Sequence, residues 1–404
     1  MRAYQSILGI KAARRFAPFG LIARFPPAMA IIGVTMMVQE LYRSYQLAGM
    51  VAAVMTVATA LAAPVVGRLL DRRGQRKVGH CLIALFFLSS GGLAVACLQH
   101  AATVWLCILA VVVGATLFPT SALVRSRWVY LLADPALITT AFSFESVFDD
   151  IAYMCGPALA TLVATTVNPT AGLALAVLTL LVGGLGLLAQ RDSQPPVHPR
   201  PENQDHAKLA IRLPGVWAVC LVFLGVGVVF GANGIAMVAV CESLGVKWAA
   251  GLLLGLGSAA SMIGALVYGA RQWRSPLHRR FQICLVLLAV TSGLFLLAKS
   301  VPLLAIVSVL AGVAISPSFI NGNALIQRLT PPHQLTEGMT WIGTMLNCGT
   351  AVGSALAGRL IEQFRPSAGY WALAGGALLA LLIAVVSVGT LSQHSQEPHR
   401  KAGS

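Results

Sequence analysis

The sequence predicts an all-α membrane protein with twelve transmembrane helices arranged as two parallel six-helix repeats. Three observations carry this reading. First, 57% of the 404 residues are hydrophobic, only 10% are charged, and mean hydropathy is +0.80; a soluble chain of this length needs far more charge to cover its surface. Second, twelve apolar runs approach the ~20 residues a helix needs to cross the ~30 Å hydrocarbon layer. They are rich in Gly, Ala and Leu and show no alternation of period two, which favours helices over an outer-membrane barrel. Third, the halves repeat: an offset of 198 lays Gly114 on Gly312 and Pro119 on Pro317, and an offset of 197 lays Ser143-Phe144 on Thr340-Trp341 and Gly156 to Ala160 on Gly353 to Ala357.

In order, the spans fall at roughly 16–38, 47–67, 79–98, 103–125, 137–163 and 170–189, then 214–240, 249–270, 281–299, 302–324, 337–361 and 368–390. Span 1 contains a cation, Arg24, about eight residues from its start. Span 2 ends on Gly67, where a polar turn begins. Span 4 carries Gly114 and Pro119, and span 5 carries Glu145, Asp149, Asp150 and then Gly156-Pro157. After span 6 the composition breaks, with residues 191–213 rich in Pro, Gln, Asn and charge. This divides the chain into an N-terminal six-helix bundle (1–190), a linker (191–213), a C-terminal six-helix bundle (214–391) and a polar tail (392–404). The first span follows basic residues without a small-residue cleavage site, so it is expected to be retained and not removed as a signal peptide.

A formal charge of +15 raises the question of a nucleic-acid partner, and the distribution of the charge answers it. Of 28 Lys and Arg, 22 fall in segments on one side of the predicted membrane, five fall on the other, and Arg24 lies within span 1. That asymmetry is the positive-inside rule. It places both termini in the cytoplasm of a multi-pass inner-membrane protein, and it assigns the basic residues to topology and anionic lipid headgroups, with no nucleic acid. The eight Cys are scattered singly with no CxxC pair, so neither a disulfide framework nor a metal site is indicated.

The turn after span 2 reads Gly67-Arg68-Leu69-Leu70-Asp71-Arg72-Arg73-Gly74-Gln75-Arg76-Lys77. Here the chain resembles the major facilitator superfamily, whose signature at this loop is Gly, three residues, Asp, Arg, any residue, Gly, any residue and two basic residues. Gly67, Asp71, Arg72, Gly74, Arg76 and Lys77 match without a gap. Topology alone would explain the Arg and Lys, but not the Gly and Asp spacing. The second copy, from Gly269 to Arg280, keeps only Gly and a basic cluster. The resemblance implies a monomeric secondary transporter without a cofactor, in which Asp71 steadies one of the alternating-access states on the cytoplasmic side. Gly156-Pro157 resembles the span-5 motif of proton-driven antiporters in a degraded form, because Ala152 and Ala160-Thr161 stand where that motif has Gly. A purely structural kink is the equal alternative.

Ionisable groups inside a bilayer are expensive, by roughly 2.5–3.5 kcal/mol on insertion scales, and are candidates for function by default. Glu145 and Asp149 share a helix face, and Asp150 points about 100° away. Arg24 and these acids lie at similar depth, so an Arg24–Glu145 or Arg24–Asp149 pair is expected. That pair fixes two helices, exchanges its partner for a proton, or contacts the substrate directly. With no His in a span core, coupling protons would fall to Asp149, Glu145 or Asp150, or to Glu337 at the start of span 11. The resemblance also implies that spans 1, 4, 7 and 10 line a substrate cavity. Their polar positions are Arg24, Thr35 and Gln39; Thr116, Thr120 and Ser121; Asn233; and Ser316, Ser318, Asn321 and Asn323. Such a lining is mostly apolar with scattered polar groups, and each Ser, Thr or Asn is also a candidate for a simple interhelical hydrogen bond. Arg125 and Arg127, read at the cytoplasmic end of span 4, either set topology or draw anions to the mouth.

In its Gly/Ala-rich helices and mixed cavity the chain resembles efflux-type members of the superfamily, which implies an efflux-type transporter. It would export an amphipathic drug, antibiotic or self-made antimicrobial, in one version peptide-like with an anionic group, in exchange for protons, conferring resistance or self-immunity. The absence of an Arg before Gly114 in span 4 departs from many drug antiporters of that branch. Import of a small nutrient such as an organic acid is the alternative. An enzyme would need clustered His, Asp or Ser at a membrane face, and a sensor would need more soluble chain than the 23-residue linker.

Overall fold

The computed structural model describes residues 2–197, 209–213, 215–246, 248–271, 273 and 275–388. The middle of the expected linker and the expected tail 392–404 lie outside these residues. Among the described residues the chain forms fifteen α-helices, four short 3-10 turns and no strand. The N-terminal helices are α1 (Arg2–Gly9), α2 (Lys11–Ile22), α3 (Phe25–Tyr42), α4 (Tyr45–Arg73), α5 (Gln75–Leu98), α6 (Thr103–Ala115), α7 (Thr120–Leu131), α8 (Pro135–Thr166) and α9 (Ala171–Ala189). The remainder are α10 (Val216–Ser243), α11 (Ala249–Ala270), α12 (Leu277–Leu294), α13 (Val301–Leu329), α14 (Leu335–Gln363) and α15 (Gly369–Val386).

Among the described residues, eleven segments are long and apolar enough to cross a membrane. The twelfth, α14, has 29 residues and so spans roughly 43 Å, but Thr336, Glu337, Thr340 and Thr344 on its buried face dilute its hydropathy. The architecture is the twelve-helix all-α membrane fold that the sequence predicts. Two of the spans, however, are not single helices. Span 1 is interrupted at Ala23-Arg24 and divides into α2 and α3, while span 4 is interrupted at Thr116–Pro119 and divides into α6 and α7. The short α1 has no counterpart in the sequence reading.

Local chemistry explains three of the junctions. Ser44 accepts from the Leu47 N–H at 3.2 Å and starts α4. Asp134 accepts from the Ala136 N–H at 2.8 Å, with Pro135 opening α8. Gly74 turns the chain between α4 and α5 with φ of 85°, a conformation that suits a residue without Cβ.

In lipid, helices associate through close packing and not through a hydrophobic drive, so small residues decide the contacts. A Cβ on Gly114 (α6) would strike the Met55 carbonyl of α4, and one on Gly312 (α13) would strike the Gly257 carbonyl of α11. The two glycines that align across the repeat therefore do the same job in each half. Similarly, Gly156 of α8 approaches α3 at Ala28, and Gly353 of α14 approaches α10 at Val228. The aligned prolines behave differently: Pro119 stands at a break, whereas Pro317 lies within the continuous α13 and Pro157 within the continuous α8.

The contacts form two compact units. One holds Tyr4–Ala133 and Phe148–Pro201, and the other holds Asp134–Val147 and Glu202–Ser404 together with the first three residues. The first half of α8 thus groups with the later helices.

Candidate functional site

The two breaks in the first unit meet. An interrupted helix leaves carbonyls without their usual N–H partners, and in a membrane those must be satisfied from within the protein. Thr120, the first residue of α7, donates its hydroxyl to the Ala23 carbonyl at the end of α2 at 2.6 Å. On the other side of the second break, Thr59 of α4 donates to the Gly114 carbonyl at 3.0 Å, and Thr116 donates to Val112 at 2.7 Å. The Thr120 hydroxyl thus ties one break to the other, and the Thr59 hydroxyl ties the end of α6 to α4.

An ion cluster sits at this junction. Arg24, which caps the break in span 1, donates through Nε to Asp149 Oδ1 of α8 at 2.7 Å and through a terminal nitrogen to the Gly20 carbonyl at 3.2 Å. Arg125 of α7 donates to Asp149 Oδ2 at 2.7 Å, and Ser121, one turn earlier on α7, donates to Oδ1 at 2.6 Å. Two guanidinium groups and a hydroxyl therefore converge on one carboxylate. Their exposure is unequal: the Arg24 and Arg125 side chains are 2% and 6% exposed, while Asp149 is 22% exposed. Anything approaching the cluster meets the carboxylate first. The Arg125 Nε is buried and has no hydrogen-bond partner.

Of the two pairings expected for Arg24, the structure makes the one with Asp149. It also recruits Arg125, which belongs at the membrane mouth in the sequence reading and instead lies buried. The i,i+4 spacing of Ser121 and Arg125 on one face was the available signal. Arg127 is corrected in the same way, being wholly buried. It donates to Gln75 Oε1 at 2.8 Å, to the Leu187 and Gln190 carbonyls at 2.9 and 3.1 Å, and to Ser193 Oγ at 3.0 Å, tying the start of α5 to the chain that leaves α9. Nothing in the sequence singled out Gln75.

The remaining sequence candidates are dispersed. Glu145 is fully buried one turn before Asp149, and Asp150 is half-buried. Glu337 is buried and accepts from the Ala210 N–H at 3.0 Å. Asn321 accepts from the Tyr268 hydroxyl at 2.9 Å and donates to the Pro317 carbonyl at 2.8 Å, while Asn323 donates to the Phe319 carbonyl at 2.9 Å. Asn233 presents a buried Oδ1 without a partner, and Gln39 is half-buried on α3. In the loop motif Gly67 and Gly74 are buried, Asp71 is half-buried, and Arg72, Arg76 and Lys77 are exposed.

The sequence profile of the Major Facilitator Superfamily matches residues 19–281 and 273–403. No curated protein sequence matches the chain. Among solved structures it is similar to a bacterial homologue of the iron transporter ferroportin in an outward-facing state, at 15% identity and a TM-score of 0.73 over 96% of this chain and 100% of that one. It is also similar to the human organic anion transporter MFSD10 (TETRAN), at 14% identity and a TM-score of 0.71 over 92% and 99% of the two chains. The E. coli fucose:proton symporter FucP matches at 14% identity and a TM-score of 0.66, again over 92% and 99%. At these identities the likeness concerns the fold.

Proposed function

This chain belongs to the Major Facilitator Superfamily and is a multi-pass membrane transporter of small molecules, and from that premise we propose that it is a proton-coupled exporter of an amphipathic organic compound, acting as a monomer in a bacterial inner membrane with both termini cytoplasmic. The observation that carries the proposal is the Arg24–Asp149–Arg125 cluster at two interrupted helices. Broken helices at membrane depth are the usual places for solute and coupling-ion sites in secondary transporters, and an intramembrane carboxylate held by two cations is a site whose charge changes with one proton.

The cluster also links substrate charge to the sign of coupling. With Asp149 ionised, its charge offsets one of the two guanidiniums, and a neutral or cationic amphipath tolerates the site. A proton on Asp149 leaves two uncompensated cations, which repel a cationic solute directly and hold water in place of the apolar part of a neutral one. Proton and solute then alternate, which is exchange, and exchange drives export. The compounds that fit this cycle are drugs, antibiotics or self-made antimicrobials, with resistance or self-immunity as the biological outcome.

A second reading follows from the same geometry if the solute is an anion. Protonated Asp149 then frees both arginines for the solute, proton and anion travel together, and the protein imports an organic acid. Purified protein in vesicles with an imposed pH gradient separates the two. Export predicts that transported compounds are neutral or cationic and move opposite to the proton; carboxylates moving with the proton would replace it with the import reading. Gradient-driven transport that is unchanged in Asp149→Asn would remove the cluster from coupling under either reading and leave Glu145 and Glu337 as the acids to test.

A further inference from the structure

The turn between α4 and α5 forms a basic recess that is separate from the Arg24–Asp149–Arg125 cluster. It is an open recess of about 650 Å³ lined by Arg73, Arg76, Lys77, His80 and Arg191, with no acidic side chain among its lining residues. The nearby Asp192 faces Arg15 instead, at 3.9 Å. A basic loop at a membrane edge ordinarily needs no explanation beyond topology, but here the second wall is built. The buried Arg127 holds the Gln190 carbonyl and Ser193 Oγ, and the Gln194 amide, oriented with its oxygen inward, accepts from the Gln75 and Arg76 N–H groups at 3.1 and 3.3 Å. Arg191 thus lines the same recess as Arg73, Arg76 and Lys77, and a ligand of high negative charge would offset their mutual repulsion.

The recess continues into an apolar surface. Lys77, His80, Cys81, Ala84 and Leu88 are exposed at helical spacing on α5, so one helix face passes from basic to lipid-facing. A polyanionic headgroup in the recess would place its acyl chains along this face. We propose that the recess binds a membrane phospholipid whose headgroup carries two phosphates, as in cardiolipin. Two phosphates match several cations where a single phosphate would leave most unanswered, and the adjoining apolar face distinguishes a lipid from a soluble polyphosphate.

Native mass spectrometry of the purified full chain tests this, with titrations of cardiolipin, phosphatidylglycerol, phosphatidylcholine and inorganic pyrophosphate. The expected result is selective retention of cardiolipin, weakened roughly tenfold or more in Arg73→Gln/Arg191→Gln and unchanged in the charge-matched Arg14→Gln/Arg279→Gln. Equal retention of cardiolipin and phosphatidylcholine by the wild-type chain would overturn the proposal whatever the variants do. Equal weakening in both double variants would reduce it to general attraction. Displacement of cardiolipin by equimolar pyrophosphate would make the recess a site for soluble polyphosphate and refute the lipid assignment.

Discussion

Replacing Asp149 with Asn removes one charge and leaves the shape of the cluster intact, so its effect isolates the electrostatics. The carboxylate accepts from Arg24 at 2.7 Å, Arg125 at 2.7 Å and Ser121 at 2.6 Å. An amide keeps one acceptor oxygen but turns its NH₂ towards a guanidinium, so at least one donor loses its partner and neither cation keeps its counter-charge. Breaking a buried ion pair from one side costs about 3–5 kcal/mol. Because Asp149 is 22% exposed, water relieves part of this, and the lower end applies, about 3 kcal/mol. At about 1.4 kcal/mol per factor of ten, the ratio of folded to unfolded protein falls roughly 150-fold. In Asp149→Asn/Arg125→Gln one orphaned cation is gone as well, so part of the loss, on the order of 1–2 kcal/mol, should return as a coupling energy. Size-exclusion chromatography of a fluorescent fusion after graded heating in detergent reads both effects. A single variant with the wild-type thermal midpoint, or a double variant no better than the single, would refute the claim that these charges depend on one another.

Four other outcomes follow from the same structure. Gly114→Val and Gly312→Val each drive a side chain into a carbonyl of the neighbouring helix and should abolish monodisperse protein, whereas Gly91→Ala, with nothing within 4 Å, should elute as wild type. Arg127→Gln removes a buried cation together with contacts to α5 and to the chain beyond α9; it should lower stability by about 3 kcal/mol or more and hasten proteolysis between 190 and 197, and unchanged proteolysis would deny the strap. Asp71→Asn should impair vesicle transport while leaving protein abundance near wild type, and full transport would remove this residue from the transport cycle. Reporter tags at the C-terminus and within 195–205 should report cytoplasm and a tag beside Arg43 periplasm, as the 22-to-5 charge split requires; one tag on the opposite side reverses the orientation.

Span number was legible in the sequence because the bilayer imposes a local rule. About 20 apolar residues must follow one another, and no distant contact can excuse their absence. The loop motif was legible for a related reason, since Gly67, Asp71 and Gly74 are recognised by spacing along one short turn. The Arg24–Asp149 pairing was half legible: an ion at membrane depth must be compensated, so a partner at equal depth could be named, but not chosen between Glu145 and Asp149.

What the tertiary structure decided was which irregularities survive. Pro119 and Pro317 align across the repeat, yet only the first stands at a helix break, where the Thr59 hydroxyl of α4 supports the Gly114 carbonyl at the end of α6. In α13, Ser318 and Asn321 bond back to the Ala314 and Pro317 carbonyls of their own helix, and the helix continues. Span 1 opens at Ala23 because Pro26 and Pro27 have no N–H for the Ile22 and Ala23 carbonyls, and only folding brings the Thr120 hydroxyl to the second of these. Arg125 and Arg127 are two residues apart and look interchangeable in the sequence. Their side chains leave α7 in different directions, one to a carboxylate on α8 and the other to carbonyls at the end of α9 and just beyond it. Hydropathy sets how many times a chain crosses the membrane, but the fate of each polar group inside it depends on partners that only folding brings within 3 Å.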